Sequence, residues 1–529
     1  MKYVMIYHAN LNYAYLTPDN YEFVIREAYE MTIDTMRENF PSTKYVFEAS
    51  GYTIEMMEKY TPDVVEKLRS AIADGSCELM GSPYAHPMLP NFPEKDGAWS
   101  LEFSHRIYER VLGMRPVSFW NPECGWRKTI PRMVKNAGYK YLTGDFESYS
   151  RCEVGPEGTP QRPEIYEKEA TKEKNFYNFD FKYDLPADDY ALHYPFNHLQ
   201  GLEPDDLRVF LRSDRICQYA VRYFMGMEGY SHEEYLKTID RYSGDRDGQG
   251  EGALVIFADD AEYIGTNGWF RLKYQNEPDR VFEKVPGAKE KLIALVAAVK
   301  QRGEFATFAE VCELTPNTQP VTWDDDAAWH GACASTWAST PMARLLRPWQ
   351  DLVRDKLNEL ENELPTAVAE RVWFHLTNSY NSDGQWPPTL PDAPHIIHPF
   401  NYGYCFENLL TAHHLVGGVD LDSLSSDASE TLGEIIDMQS HLILSKARQL
   451  QEQGSDEEKA NSALAESLLA VAMEKSSLAG SKTLDSGEYT VRADAMVEAR
   501  RLVGGIVIEK CVAPVCADVK EDVTLAPAG

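Results

Sequence analysis

Ala253-Leu254-Val255-Ile256-Phe257 is an unbroken apolar run, and Ala258-Asp259-Asp260-Ala261-Glu262 follows it without a spacer. A short apolar run of this kind fits a strand buried on both faces, as in a parallel sheet. Carboxylates placed directly after such a strand lie where α/β barrels keep their chemistry. The same grammar recurs in residues 116–120, followed by Asn121-Pro122-Glu123-Cys124-Gly125-Trp126. Further strands are expected at 3–7, 45–47, 78–80, 139–143, 190–194, 208–211 and 305–308. Helical stretches separate them: Thr61-Pro62 opens a helix over 63–73 that Gly75 stops, Pro131 opens one closed by Gly138, and Ser231 with Glu234 forms a capping box. Alternation of strand and helix predicts an α/β fold. No glycine-rich phosphate loop follows any strand, which favours a closed or nearly closed barrel over an open doubly wound sheet.

Polar residues cluster after these strands. His8 and Asn10 follow the first, Glu48 the second, the stretch Tyr84-Ala85-His86-Pro87 the third, Glu123 the fourth, and His193, Arg212 and Asp260 later ones. Taken singly, Glu48, His193 and Arg212 read as solvated loop residues or satisfied core groups. His8, His86, Glu123 and Asp260 together read as a site, with Glu123 and Asp260 as a catalytic carboxylate pair.

Composition narrows the partners. The chain of 529 residues carries 83 Asp and Glu against 52 Lys and Arg, a net charge of −31 that repels phosphate backbones and anionic lipid. Nucleic acid and membrane are therefore excluded as expected partners. A neutral sugar suits a chain with 10 Trp and 30 Tyr, whose rings offer flat apolar faces. Trp120 and Trp126 beside Glu123, and Trp269 after Asp260, are expected to contact it. The amino terminus begins directly with a strand-like run and shows no secretory pattern, and no apolar run reaches the ~18 residues of a membrane span. Nine cysteines without regular spacing fit a reduced, cytoplasmic protein, and Cys511 with Cys516 lacks the partners of a zinc site.

These residues resemble glycoside hydrolase family 57. Trp120-Asn121-Pro122-Glu123-Cys124-Gly125-Trp126 is similar to the family's nucleophile motif in the form found in branching enzymes. Asp260-Ala261-Glu262-Tyr263-Ile264-Gly265 is similar to its acid/base motif, and Tyr84-Ala85-His86-Pro87-Met88-Leu89-Pro90 to the second motif of family amylases. His8 matches the first motif, and Asp383 with Trp386 looks like a serine-aspartate-tryptophan region, although Gly384 and Gln385 intervene. The resemblance covers about residues 1–410. It implies an incomplete (β/α)7 TIM-like barrel over 1–320 followed by a helical domain over 321–420 that lines the cleft. It also implies Glu123 as nucleophile, Asp260 as proton donor, substrate contacts from His8, His86, Asp383 and Trp386, and neither metal nor cofactor.

The chemistry demands unequal partners. In retaining glycoside hydrolysis one carboxylate attacks the anomeric carbon while a protonated carboxyl, ~5–5.5 Å away, gives its proton to the leaving oxygen. Repulsion from Asp259, Glu262 and Glu123 would raise Asp260, and the two tryptophans would bury part of Glu123. The substrate expected is an α-1,4-glucan, by hydrolysis or by transfer, with α-galactoside as the alternative sugar. A metal-dependent deacetylase-like or α-mannosidase-like barrel, drawing on His8, His86, Asp259 and Asp260, is a second class. A glycan-binding pseudoenzyme is a third. Residues 341–360 and 404–416 have helical spacing, with an irregular aromatic stretch over 373–400 between them. Helices over 430–453 and 457–475, turned at Gly454-Ser455-Asp456, are expected in a helical extension over 421–529 with a disordered end. Its apolar stripes suggest contacts between copies of the chain, a homo-oligomer.

Overall fold

The computed structural model describes residues 1–13, 16–148, 190–196, 207–243, 251–267, 282–316, 326–329, 333–360, 362–386, 399–419 and 426–478, with scattered positions between 492 and 503. Two compact units emerge, Met1–Ser339 with Asn381–Asn401, and Thr340–Tyr380 with Tyr402–Gly529.

The first unit is built on eight strands: β1 (Lys2–Ala9), β2 (Tyr45–Ala49), β3 (Cys77–Gly81), β4 (Ser118–Phe119), β5 (Tyr141–Asp145), β6 (Arg208–Arg212), β7 (Ala253–Asp260) and β8 (Glu304–Phe305). They run in the order β6-β5-β4-β3-β2-β1-β7, with β8 also on β1, and every pairing is parallel. Side chains close the gap between the end strands, because Arg212 at the end of β6 reaches Asp259 on β7 at 3.4 Å. The result is a nearly closed barrel with helices between its strands. β1, β2 and β7 are buried along almost their whole length, as their apolar runs require.

One irregularity positions the site. β1 and β7 pair in simple register as far as Val4 opposite Val255, and then Met5 lies opposite Phe257, so that Ile256 is skipped. Beyond that bulge His8 lies opposite Asp260. His8 also lies opposite Glu48 on the other side, which makes Glu48, His8 and Asp260 consecutive members of one row across β2, β1 and β7.

Two expected strands are different. Residues 190–194 form a short helix, Tyr190–His193, where His193 contacts the Ala253 carbonyl through Nδ1 at 3.2 Å. Residues 305–308 divide between the end of β8 and the start of the helix Phe308–Cys312, whose Thr307 and Glu310 form a capping box. A short apolar run carries no period long enough to separate strand from helix.

The second unit is helical among its described residues. Helices span Pro341–Leu360, Thr366–Asn378 and Pro399–Leu415, so the stretch expected to be irregular from Trp373 begins inside a helix. Helices Ser426–Gln453 and Asp456–Leu478 form the expected hairpin. Ser455 and Glu458 cap the second reciprocally: Ser455 N donates to Glu458 Oε2 at 2.8 Å, and Glu458 N to Ser455 Oγ at 3.3 Å. Trp269, Cys511 and Cys516 lie outside the described residues.

Candidate active site

Glu123 follows the two-residue strand β4 in a tight turn, Pro122–Cys124. Glu123 and Cys124 both have left-handed backbones, with φ of 57° and 47°. Such a pair of non-glycine residues is strained and persists only where its surroundings over-determine it. Here Trp329 N donates to the Glu123 carbonyl at 2.9 Å, Cys124 N to Asn121 O at 2.8 Å, and the Asn121 amide to Gly125 O. Gly125 is required by space, since a Cβ there would lie 2.3 Å from Met88 Sδ.

The Glu123 side chain is buried, and the Ser382 hydroxyl donates to its Oε1 at 2.5 Å. Ser382 is brought there by backbone contacts, with Ser382 N on His86 O at 3.0 Å and the Asn381 amide on Ala85 O at 2.8 Å. Burial and the Asp383 charge push Glu123 well above the usual carboxylate range, while Ser382 and the Trp329 side chain oppose that rise.

Strand alternation separates the two aspartates of β7. Asp259 turns toward β6 and accepts from Gln218 Nε2 at 2.8 Å and Arg212 Nη2 at 3.4 Å. Arg212, fully buried, also holds Asp145 and Asp214. Asp260 turns the other way, with Oδ1 at 3.7 Å from His8 Nε2. Burial pushes Asp260 well up, followed by the charges of Asp259, Glu262, Asp383 and Glu123. Repulsion alone was the expected cause; burial is the larger one. Gly265, which ends this motif, packs so closely on the turn Ile25–Glu30 that a Cβ would lie 1.9 Å from the Glu27 carbonyl.

His8 is held on every side. Its Nδ1 hydrogen-bonds Glu48, and its ring lies between His86 at 4.9 Å and Trp120 at 4.7 Å, both nearly parallel to it. Burial alone would raise Glu48, but its interactions with His8 and His86 outweigh it and hold the group at about 2. His8, Glu48 and His86 place potential ligand atoms within 4.8 Å of one another. The two imidazoles are stacked, however, so their in-plane lone pairs run side by side rather than meeting, and Nδ1 of His8 is already taken by Glu48.

Of the residues expected at the site, His8, His86, Trp120, Glu123, Asp260 and Asp383 come together. Asp383 accepts from Asn10 Nδ2 at 2.9 Å and raises both Glu123 and Asp260 by its charge. Trp120 and Trp126 are wholly buried, with Trp120 on His8 and edge-on to Trp329 at 6.1 Å. Trp386 packs against Trp337 at 5.4 Å. Glu48, Ser382, Arg212 and Trp329 complete the surroundings. The position of Glu48 and Arg212 directly after strands was the signal for two of them, and nothing in one dimension marks Ser382.

The sequence profile of glycosyl hydrolase family 57 matches residues 2–317. The chain belongs to glycosyl hydrolase family 57. Among characterised members it is 28% identical over 130 residues to an α-amylase of Pyrococcus horikoshii, covering 24% of this chain and 20% of that one. It is 29% identical over 129 residues to a 4-α-glucanotransferase of Thermococcus litoralis, covering 24% and 19%. The chain thus spans about a fifth of the length of the curated relatives it matches. The crystal structure of a family 57 branching enzyme from Thermococcus kodakaraensis, in complex with glucose, superposes with a TM-score of 0.55 at 13% identity, over 78% of this chain and 89% of that one. That likeness establishes the barrel as the family's fold. Among the described residues no helix is long and apolar enough to cross a membrane.

Proposed function

We propose that this chain is a retaining α-glycosidase or transglycosylase acting on α-1,4-linked glucan, with Glu123 as nucleophile and Asp260 as general acid and base. The observation that carries the reading is a pair of buried carboxyls after β4 and β7, close enough that the charge of Glu123 raises Asp260. With Asp383 they form a set of three that does not ionise all at once. Ser382 donates to Glu123 and favours its ionised form, whereas Asp260, crowded by like charges, retains its proton.

In the first half-reaction a Glu123 oxygen bonds to the anomeric carbon, the glycosidic C–O bond breaks, and the Asp260 proton passes to the leaving oxygen. In the second, Asp260 takes a proton from water or a sugar hydroxyl as that oxygen displaces Glu123. The same configuration is regained. The alternation that ties Asp259 to Arg212 and Gln218 supports Asp260, rather than its neighbour, in this role. Names of relatives, amylase and glucanotransferase, favour glucan over galactoside. A cytoplasmic compartment belongs to the same proposal, supported by the buried thiols Cys77, Cys124, Cys217 and Cys312, which form no disulfide.

Product analysis on maltooligosaccharides beside α-galactosides tests it. Shorter products indicate hydrolysis, longer ones transfer, and no turnover of any α-glucan refutes the substrate. Glu123→Ala and Asp260→Ala should each abolish turnover in folded protein.

A further inference from the structure

Glu48 is wholly buried at the end of β2, and its partners are unusual for a core carboxylate. Its Oε2 contacts His8 Nδ1, its Oε1 lies 3.5 Å from His86 Nε2, and His86 Nε2 is also 3.0 Å from Ser82 Oγ. On the far side of the His8 imidazole stands Asp260, at 3.7 Å from His8 Nε2. The row of paired residues across β2, β1 and β7 sets this line, and the stacking of His86 and Trp120 on His8 prevents the ring from turning out of it.

An ionised carboxylate only accepts hydrogen bonds, so its partner nitrogen must carry the hydrogen. With the hydrogen on Nδ1, the neutral imidazole presents a bare lone pair at Nε2. A lone pair beside a carboxyl group favours the protonated acid, and a donor there favours the carboxylate. Contacts of this length tighten when substrate fills a site.

We propose that Glu48 is a positioning residue that fixes the tautomer of His8, so that Nε2 accepts from Asp260 and keeps the proton donor loaded between turnovers. The inference rests on the reading of Asp260 as proton donor. Asp260 feels the charges of Asp259, Glu262, Asp383 and Glu123 and has His8 Nε2 at 3.7 Å, while Glu48 faces His8 and His86, with Tyr29, Tyr108 and Tyr139 also near it. The carboxylates around Asp260 repel its ionised form. His8 adds a direct acceptor for the proton, and Glu48 decides that it is an acceptor.

The test is Glu48→Gln, which keeps the shape and supplies an amide donor to Nδ1, with Glu48→Asp as the variant that keeps an acceptor. Nitrogen-15 NMR of labelled histidine reads the tautomer without substrate, and the His8 signal is identified by its loss in His8→Gln. Wild type should show hydrogen on Nδ1, and Glu48→Gln should move it to Nε2. The basic limb of kcat/KM against pH should then fall by about one unit in Glu48→Gln, with kcat down by about tenfold or more and KM nearly unchanged. Glu48→Asp should restore the wild-type tautomer and part of the rate. Hydrogen on Nε2 in wild type, an unmoved basic limb in folded Glu48→Gln, or stoichiometric Zn2+ uptake by wild type that Glu48→Gln abolishes would each overturn the proposal. Should Glu48→Gln not fold, the wild-type tautomer and Glu48→Asp still decide it. Absence of any glucan turnover would refute the proposed function and leave the tautomer result standing.

Discussion

Replacing Ser382 by alanine isolates the force that keeps Glu123 ionised. The carboxylate is buried and faces Asp383, and both effects favour its protonated form. Opposing them are the 2.5 Å hydrogen bond from Ser382 and the side chain of Trp329. A hydrogen bond to a charged group contributes about 1.5–3 kcal/mol. At 1.36 kcal/mol per pKa unit, its loss raises Glu123 by about 1–2 units. Ser382→Ala should therefore move the acid limb of kcat/KM upward by about 1–2 units, and at pH values below the new limb the rate should fall by about 10- to 100-fold. The assay is initial-rate kinetics across pH on whichever α-glucan the wild type turns over. Labelling by a mechanism-based glycosyl inhibitor serves as a second readout of nucleophile strength, and a thermal melt confirms folding. An acid limb that does not move, with kcat within about threefold of wild type at low pH, would refute the electrostatic account of Ser382.

Three further expectations follow from the same geometry. Asp260→Asn should abolish turnover with little change in melting temperature, whereas Asp259→Asn should lower the melting temperature, because Arg212 loses a buried partner; comparable melts and rates for the two would contradict their assignment. Burial holds Glu55 at about 7 against its hydrogen bond from Tyr84 and the charge of Arg110, so its folded-state value lies above the unfolded one. Its contribution to stability is complete below about pH 4.5 and is lost as pH rises through 7, a change of about 3 kcal/mol, and denaturant melts of Glu55→Gln should show that slope flattened. Activity should survive prolonged treatment with excess EDTA, since the stacked His8 and His86 rings do not aim their lone pairs at one point and Glu48 already occupies His8 Nδ1; loss of turnover that added Zn2+ restores would reverse that view.

The barrel was legible because its strands are apolar runs too hydrophobic for a one-sided sheet, and because proline and glycine punctuate the helices between them. Residues 190–194 failed for the same reason that the strands succeeded: in a stretch that short, apolar character records burial and not period. Glu123 and Asp260 were singled out through neighbouring motif residues, and the structure supplies packing reasons for two of those neighbours, Gly125 and Gly265, where an added Cβ would crowd Met88 and the Glu27 carbonyl. Ser382 carried no signal in the sequence, and Glu48, although it follows a strand, could not be told from a solvated or satisfied core group. Ser382 is separated from Glu123 by more than half the barrel's sequence, and Glu48 differs from any buried acid only by what lies in the next two strands.

The skipped residue in β7 has a consequence for how such a site arises. Were Ile256 paired with Met5 instead of skipped, the regular pairing before the bulge would continue and His8 would lie opposite Asp259. A shift of one residue in that register would thus exchange the places of two adjacent aspartates without altering either one. On the proposed assignment, which of two identical side chains becomes the reagent and which the scaffold is decided upstream, by a miscount between two strands.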